Sequence, residues 1–488
     1  MKKRMSARRL LLTVAVLATG CVMLFLQKAA LPVHVKYITA RTMLPSEELK
    51  SMEEPLEAIS PRDGPNSSMS HQYSTEDSGN QEEGKVKMPG VYKSDGEGIV
   101  CDRSHTRTDI CSAFGHIQMH ARSGLFLLNA VNESNHGIRE TIKPYPRKWE
   151  SKIMELVSEV TLESKAVHKN SWLKCDVQHK VPAVVFSTGG YTGNVFHEFN
   201  DGIIPLYITS QHLKREVVLI NVDCHNWWLT KYDEVLNQLT KYRVINFDNE
   251  TMNHCFPKVT IGMSIHADMT IDPTLMPNKE TYLNFRAMLD RAYTPHYVQK
   301  KPVKRRRPNL VILVREGSRV IENLNQVVKL TKQIGFNVTL CKPLPTTDLK
   351  DTYRLLNSSH VLMGVHGAAL THFLFMPPGS VLIQIIPLGI DWASRTYFGD
   401  PAERMGFQYI GYKIGLHESS LSDKYGKDDT VLVNSTAIIK QGWSLTKEIY
   451  LDSQNVHLDL ARFKNTLLDA KKRATNFIRQ QHRKGNKE

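Results

Sequence analysis

Short apolar runs and longer amphipathic stretches alternate through this chain, and few folds can accommodate that alternation. Residues 183–187 (AVVFS), 216–222 (EVVLINV), 310–314 (LVILV), 336–341 (FNVTLC), 361–364 (VLMG) and 381–386 (VLIQII) are mostly apolar and too short for helices. Helical patterns fall between them, over about residues 195–213, 322–334, 347–356 and 370–375. Such alternation builds parallel sheets with crossover helices. Gly202 and Pro205 are expected to bend or interrupt the first helix, because proline supplies no N–H. Gly335 should stop the second, and Pro377-Pro378-Gly379 should turn the chain into the run at 381.

A chain of 488 residues exceeds one compact core. Residues 300–307 (KKPVKRRR) are too charged for an element interior and read as a linker, taken as 300–309. It separates a first lobe at 99–299 from a second at 310–450, and a C-terminal helix and basic tail follow at 451–488. The expected fold class is α/β, with two Rossmann-like lobes facing a cleft, the architecture called GT-B.

The N-terminus sets the compartment. Lys2, Lys3, Arg4, Arg8 and Arg9 precede an uncharged apolar run from Leu10 to Leu26. As a helix that run spans roughly 25 Å, enough for a thin bilayer with snorkelling ends. The basic flank stays cytosolic and sends the rest to the lumen. Residues 1–9 are thus a cytoplasmic tail, 10–28 a signal anchor and 29–98 a lumenal stem. Ala18-Thr19-Gly20 leaves a cleaved signal peptide as the alternative, with the body secretory either way. Within the stem, residues 45–98 carry twelve acids and five bases, and this Ser-, Glu-, Gly- and Pro-rich stretch is expected to be flexible. That stretch sums to −7 within a net charge of +14, so the rest of the chain sums to +21, which suits an anionic ligand or a solvated surface.

Sequons at Asn66, Asn132, Asn249, Asn337, Asn357 and Asn434 fit the secretory route. So do six cysteines beyond Cys21 (Cys101, Cys111, Cys175, Cys224, Cys255 and Cys341), which allow three disulfides of undetermined pairing.

Two segments could carry chemistry. In GGYTGNVFHEFND (189–201) the glycines let the backbone turn tightly and approach a ligand. A helix starting near Gly193 places Asn194, His197 and Asp201 on one face and Phe196, Phe199 and Ile203 towards the core. A histidine and a carboxylate four residues apart can orient one another or serve as a general base; a capped polar helix face is the plainer reading. In GVHGAALTH (364–372) small residues follow a buried strand, where helix N–H groups can meet a phosphate, although close strand–helix packing needs the same residues. Arg315, with Ser318 and Arg319 behind it, follows the strand at 310–314 and suits a pyrophosphate. Trp392, Tyr397, Phe398 and Tyr409 could offer aromatic faces to sugars or fill a core. There is no D-x-D triplet, Walker phosphate loop, G-x-S-x-G elbow or zinc spacing. A diphosphate would be met by arginines and helix ends, and metal independence is expected.

With these motifs in order, the sequence resembles family 61 of the glycosyltransferases, especially its plant xylan-modifying branch. The likeness runs from about Cys101 to the C-terminus. It is carried by CDRSHTRTDIC (101–111), GGYTGNVFHEFNDGIIPLY (189–207), LVILVREGSR (310–319), VLMGVHGAALTHFLFMPPGSVLIQIIP (361–387), YFGDPAERMGFQYIGYKI (397–414) and QNVHLDLARF (454–463). The resemblance implies a Golgi-anchored inverting enzyme of GT-B architecture using UDP-arabinofuranose, the favoured donor, or UDP-xylose on a xylan acceptor. It places the donor against the second lobe, where Arg315, His366 and Gly367 lie; Ser318, Arg319, Ala368 and Thr371 are further donor-site candidates, and Asn194, Trp392 and Tyr397 are the acceptor-site candidates. Asp201 is the first choice of base, with His197 orienting it or serving instead. Alternatives are xylose transfer to O-2, sugar transfer to glycoproteins and a non-catalytic glycan-binding relative. No nucleic-acid partner is expected, given the anchor and the sequons.

Overall fold

The structure, a computed structural model, describes residues 96–166, 174–296 and 307–485. The expected anchor, Cys21, the stem up to residue 95, the Asn66 sequon and most of the linker lie outside these residues. Among the described residues no helix is long and apolar enough to cross a membrane.

Two sheets organise the chain. The first comprises β1 (Gly98–Asp102), β2 (Ile110–His120), β3 (Leu125–Ala130), β4 (Arg139–Ile142), β5 (Val160–Ala166), β6 (Val177–Gln178), β7 (Ala183–Ser187), β8 (Val218–Val222), β9 (Ile245–Asn246) and β10 (His254–Ile261). Its order is β4-β5-β3-β2-β10-β7-β8-β9, with β1 on β2 and β6 on β10. The second comprises β11 (Asn309–Leu313), β12 (Asn337–Cys341), β13 (Val361–Val365), β14 (Val381–Ile386) and β15 (Gln408–Lys413), in the order β12-β11-β13-β14-β15.

Every pairing in the second sheet is parallel, as its apolar runs imply. The first sheet is mixed, which corrects the expectation of parallel construction throughout. β7, β8, β9 and β10 pair in parallel, whereas β1–β2, β2–β3, β2–β10 and β4–β5 are antiparallel. The cause is local: only residues 121–124 join β2 to β3, and Gly124 at φ 62° closes that reversal. A parallel crossover needs a dozen residues or more. β15 also replaces part of the segment read as an aromatic sugar surface.

The helices that matter for the site are few. α1 follows β7 and runs through Val195–His197, a π-helical stretch Glu198–Ile203, and Ile204–Ser210. Gly202 and Pro205 do not interrupt it. The wide π turn ends at Ile203, so Pro205 sits in the first turn of the next α-helical stretch, where its missing N–H is tolerated. α2 (Asn226–Leu239) and α3 (Tyr282–Tyr293) complete the first half. In the second, α4 (Leu324–Ile334) stops at Gly335, φ 112°, as expected. α5 (Leu349–Asn357) precedes β13, and α6 (Leu460–Gly485) packs Phe463, Leu467, Ala470 and Ala474 against the second sheet.

One core spans both halves. Phe199 of α1 lies 6.0 Å from Phe375, which also meets Tyr293 at 5.5 Å and Tyr353 at 5.7 Å. Arg286, buried in α3, donates to the carbonyls of Phe375 (3.0 Å) and Met376 (3.1 Å) and to Asn357 Oδ1 (2.8 Å). These bonds offset the cost of burying that cation.

Candidate active site

The glycine-rich turn after β7 is packed by protein. A Cβ on Gly189 would lie 2.5 Å from the Leu156 carbonyl oxygen, and one on Gly190 (φ 62°) 2.6 Å from the Tyr145 ring. These glycines therefore admit the loop 143–157, where the sequence had suggested a ligand. Only Gly193, φ 100°, faces open space. Asn194 is exposed and caps α1 by accepting from the Phe196 N–H at 3.0 Å.

From that cap, α1 delivers two functional groups, and Phe196, Phe199 and Ile203 go into the core as expected. Asp201 is fully buried and accepts from His197 Nδ1 (2.6 Å), Arg147 Nε (2.9 Å), Tyr145 Oη (3.2 Å) and Asn200 Nδ2 (2.7 Å). Burial pushes its pKa up, but His197 and Arg147 outweigh that and leave it below the usual carboxylate range. An ionised carboxylate only accepts, so Nδ1 of His197 carries the proton towards it. Arg147 Nη2 also lies 3.2 Å from Nδ1, but the shorter carboxylate contact decides the tautomer. Nε2 is thereby left with a free lone pair on a ring that stacks 4.1 Å from Tyr191.

Arg147 was not anticipated, because its motif, KPYPRKWE, has no helical or strand pattern to place it. Burial disfavours its charge, yet Asp201 and Glu150 raise its pKa above the ordinary value. Glu150 takes Nη1 at 2.8 Å and the Tyr191 hydroxyl at 2.6 Å. Nearby, Arg107 forms a bidentate pair with Asp268 at 2.8 and 2.7 Å. Glu198 is a second unanticipated group: it accepts from the Gly193 N–H at 2.7 Å and from the Trp228 indole, and burial holds its pKa up at about 7.

The second half supplies cations. Arg315 and Arg319 are half-buried, and neither meets a carboxylate within ion-pair distance among the described residues. Arg315 Nε donates to the Ser318 carbonyl at 3.2 Å and Arg319 Nη1 to the His366 carbonyl at 3.0 Å. Arg319 Nε is buried without a partner. Burial first, and then the neighbouring Arg315, lower the Arg319 pKa to about 9. Gly367, φ 154°, lets the backbone pass them, since a Cβ there would lie 2.4 Å from Arg315 Nη1.

His366 is buried, and its Nδ1 lies 2.9 Å from Gln384 Nε2. The Tyr409 hydroxyl donates to Gln384 Oε1 at 2.8 Å, which turns the amide NH₂ to the imidazole. Nδ1 then accepts and Nε2 carries the proton. Burial, then Arg319 and Arg315, depress its pKa to about 3, so the ring is a neutral donor. Ala368 is half-buried in the Ala368–Phe375 turn. Thr371 is fully buried in the same turn and its hydroxyl has no partner.

Aromatic rings join the two clusters. Phe398 lies 5.4 Å from His366 and 5.7 Å from Phe196, whose ring is 5.2 Å from His197. Tyr397 lies 5.3 Å from Phe196, and Trp392 5.9 Å from Tyr397. His197, Asp201, Tyr397 and Trp392 thus converge with Arg315, Arg319, His366 and Gly367 around one aromatic seam. A separate 920 Å³ groove between the halves, lined by Ile271, Tyr282, Arg404 and Gln481 among others, contains none of these site residues.

Known proteins are similar to this chain in sequence. The family model Glycosyltransferase 61 matches residues 195–383, which hold α1, β11 and the Gly367 turn. Xylan glycosyltransferase MUCI21 of Arabidopsis thaliana is 47% identical over 405 residues, covering 80% of this chain and 82% of that protein. The chain belongs to glycosyltransferase family 61. Alpha-1,3-arabinosyltransferase XAT2 of rice is 34% identical, covering 80% of this chain and 70% of its own length. Beta-1,2-xylosyltransferase XYXT1 of rice is 35% identical, with 76% and 83% covered. This family 61 member is therefore a glycosyltransferase.

Proposed function

We propose that this enzyme transfers a pentose from a UDP-pentose to the backbone of a xylan, with inversion, in a GT-B arrangement of the two halves. The observation that carries the reading is the pairing of unlike groups across the aromatic seam. On one side is an imidazole whose Nε2 is free to accept a proton; on the other are two guanidiniums without anions. An inverting displacement needs both. His197 Nε2 takes the proton of the acceptor hydroxyl as its oxygen bonds to C1 of the sugar. The C1–O bond to the diphosphate breaks, and UDP leaves with its charge met by Arg315, Arg319 and the His366 Nε2–H. Asp201 stabilises the imidazolium that forms. This gives the base role to His197, because the Asp201 oxygens are enclosed by donors and reach no substrate.

The same charges support activity without a divalent ion, and addition of chelator should leave the rate unchanged. The two disulfides, Cys101–Cys111 and Cys175–Cys255, support an oxidising lumen, and with the basic–apolar N-terminus they favour a type II protein of the Golgi. Cys224 and Cys341 are unpaired, so two of the three disulfides that six cysteines allow are formed.

Relatives named for arabinosyl and for xylosyl transfer match at nearly equal identity, and both donors belong in the test. Incubation with UDP-arabinofuranose or UDP-xylose and xylo-oligosaccharides should yield an acceptor heavier by one pentose with one of them. Hydrolysis of neither donor and transfer from neither would overturn the reading.

A further inference from the structure

Trp392 and Trp443 are 42% and 48% exposed, and they meet edge to face with centroids 6.1 Å apart. They come from separate short helices, Asp391–Ser394 and Trp443–Thr446. Two adjoining indoles left in water make an apolar patch of the kind that marks an interaction surface.

The patch is held in place before any ligand arrives. Gly442, at φ 118°, aims Trp443 outward, and its carbonyl accepts from both the N–H (3.2 Å) and the hydroxyl (2.9 Å) of Thr446. Beneath lie buried Ala393, Ile438, Ile449 and Tyr450. A prepared surface loses little entropy on binding.

Ring packing, through the buried Phe196, also ties it to the catalytic group. From Trp443 the rings step to Trp392, to Tyr397 (5.9 Å), to Phe196 (5.3 Å) and to His197 (5.2 Å). Several charges beside the track are paired: Lys413 with Asp391 at 2.5 Å, Lys447 with Asp452 at 2.6 Å, and Arg395 with Asp400 and Glu403. The surface thus suits a neutral polymer. Pyranose rings present flat C–H faces that pack against indoles. Successive planes are inclined by 74° and 66°, which suits a chain that rotates from sugar to sugar.

We propose that Trp443 and Trp392 form a stacking platform for the part of a pentosan chain that extends beyond the sugar being modified. The proposal rests on the xylan reading above. It makes acceptor length a determinant of KM, with Trp443 the outermost contact.

The test compares the full-length, detergent-solubilised wild type with Trp443→Ala, using xylobiose and xylohexaose. KM for xylohexaose should rise about tenfold in the variant, and KM for xylobiose by much less. Equal changes for both acceptors would overturn the platform. Calorimetric binding of xylohexaose, measured without donor, separates this from the function itself. Binding that is weakened by Trp443→Ala in an enzyme that transfers no pentose would defeat the proposed reaction and keep the platform. Xylohexaose binding that is the same in both proteins would defeat the platform whatever the enzyme transfers. Cellohexaose, a flatter chain with hydroxymethyl groups, should compete weakly, and competition equal to that of xylohexaose would overturn the choice of occupant.

Discussion

Arg147 shows how one side chain can hold the proposed catalytic pair in register. Its guanidinium neutralises Asp201 where no water reaches, and Asp201 in turn fixes the proton on His197 Nδ1. Replacing Arg147 by Met strands a buried carboxylate, and the expected cost is about 3–5 kcal/mol, read as a fall in Tm. The same carboxylate has a pKa below its ordinary value in the folded state. Its contribution is present above the unfolded pKa and is lost only as pH falls through the depressed one. Tm should therefore show no loss attributable to Asp201 between pH 7 and 5, as a comparison with Asp201→Asn over that range would reveal. For the chemistry, His197→Asn should lower kcat by about a thousandfold, in the range for loss of a general base. Calorimetry should find its UDP affinity unchanged; a matching loss of affinity would remove His197 from the proton-transfer role.

At the level of elements, the turn after β13 depends on a missing side chain. Gly367→Ala would drive a methyl group into Arg315 and should weaken UDP binding at least about tenfold, because the guanidinium must leave its place. Glycosylation also follows from local structure. Asn132, Asn249, Asn337 and Asn434 are exposed, whereas the Asn357 amide oxygen is bound to buried Arg286. Mass spectrometry of the secreted body should find glycans among the first four and none at Asn357. Several elements were legible in the sequence for plain reasons. β7 and β14 have the expected limits, and α4 ends at its glycine, because buried parallel strands and glycine stops leave strong local signals. β2 was not legible, since ICSAFGHIQMH mixes polar and apolar residues without a steady period, and its partners lie far along the chain. β15 was missed for a related reason: QYIGYK offers two tyrosines that look like sugar-binding faces, yet Tyr409 spends its hydroxyl on Gln384.

For the whole molecule, the proposed reaction makes the halves complementary parts of one site. The sequence brought His197 and Asp201 together by helical spacing and placed Arg315 at a strand end, but it could not assign their roles. Burial of Asp201 depends on Tyr145 and Arg147, which are more than fifty residues away, and only tertiary packing brings them in. The first half also relies on a covalent brace. Cys175–Cys255 closes a span of 80 residues, and replacing both cysteines by serine should cost about 4 kcal/mol, measurable by urea unfolding. In the proposed reaction the uncompensated arginine pair is the seat of the leaving diphosphate. Calorimetric titration of the enzyme with UDP in the presence of chelator tests it most directly. The account predicts saturable binding that Arg315→Ala and Arg319→Ala each weaken strongly. An absence of binding, or binding that requires added divalent ions, would contradict it.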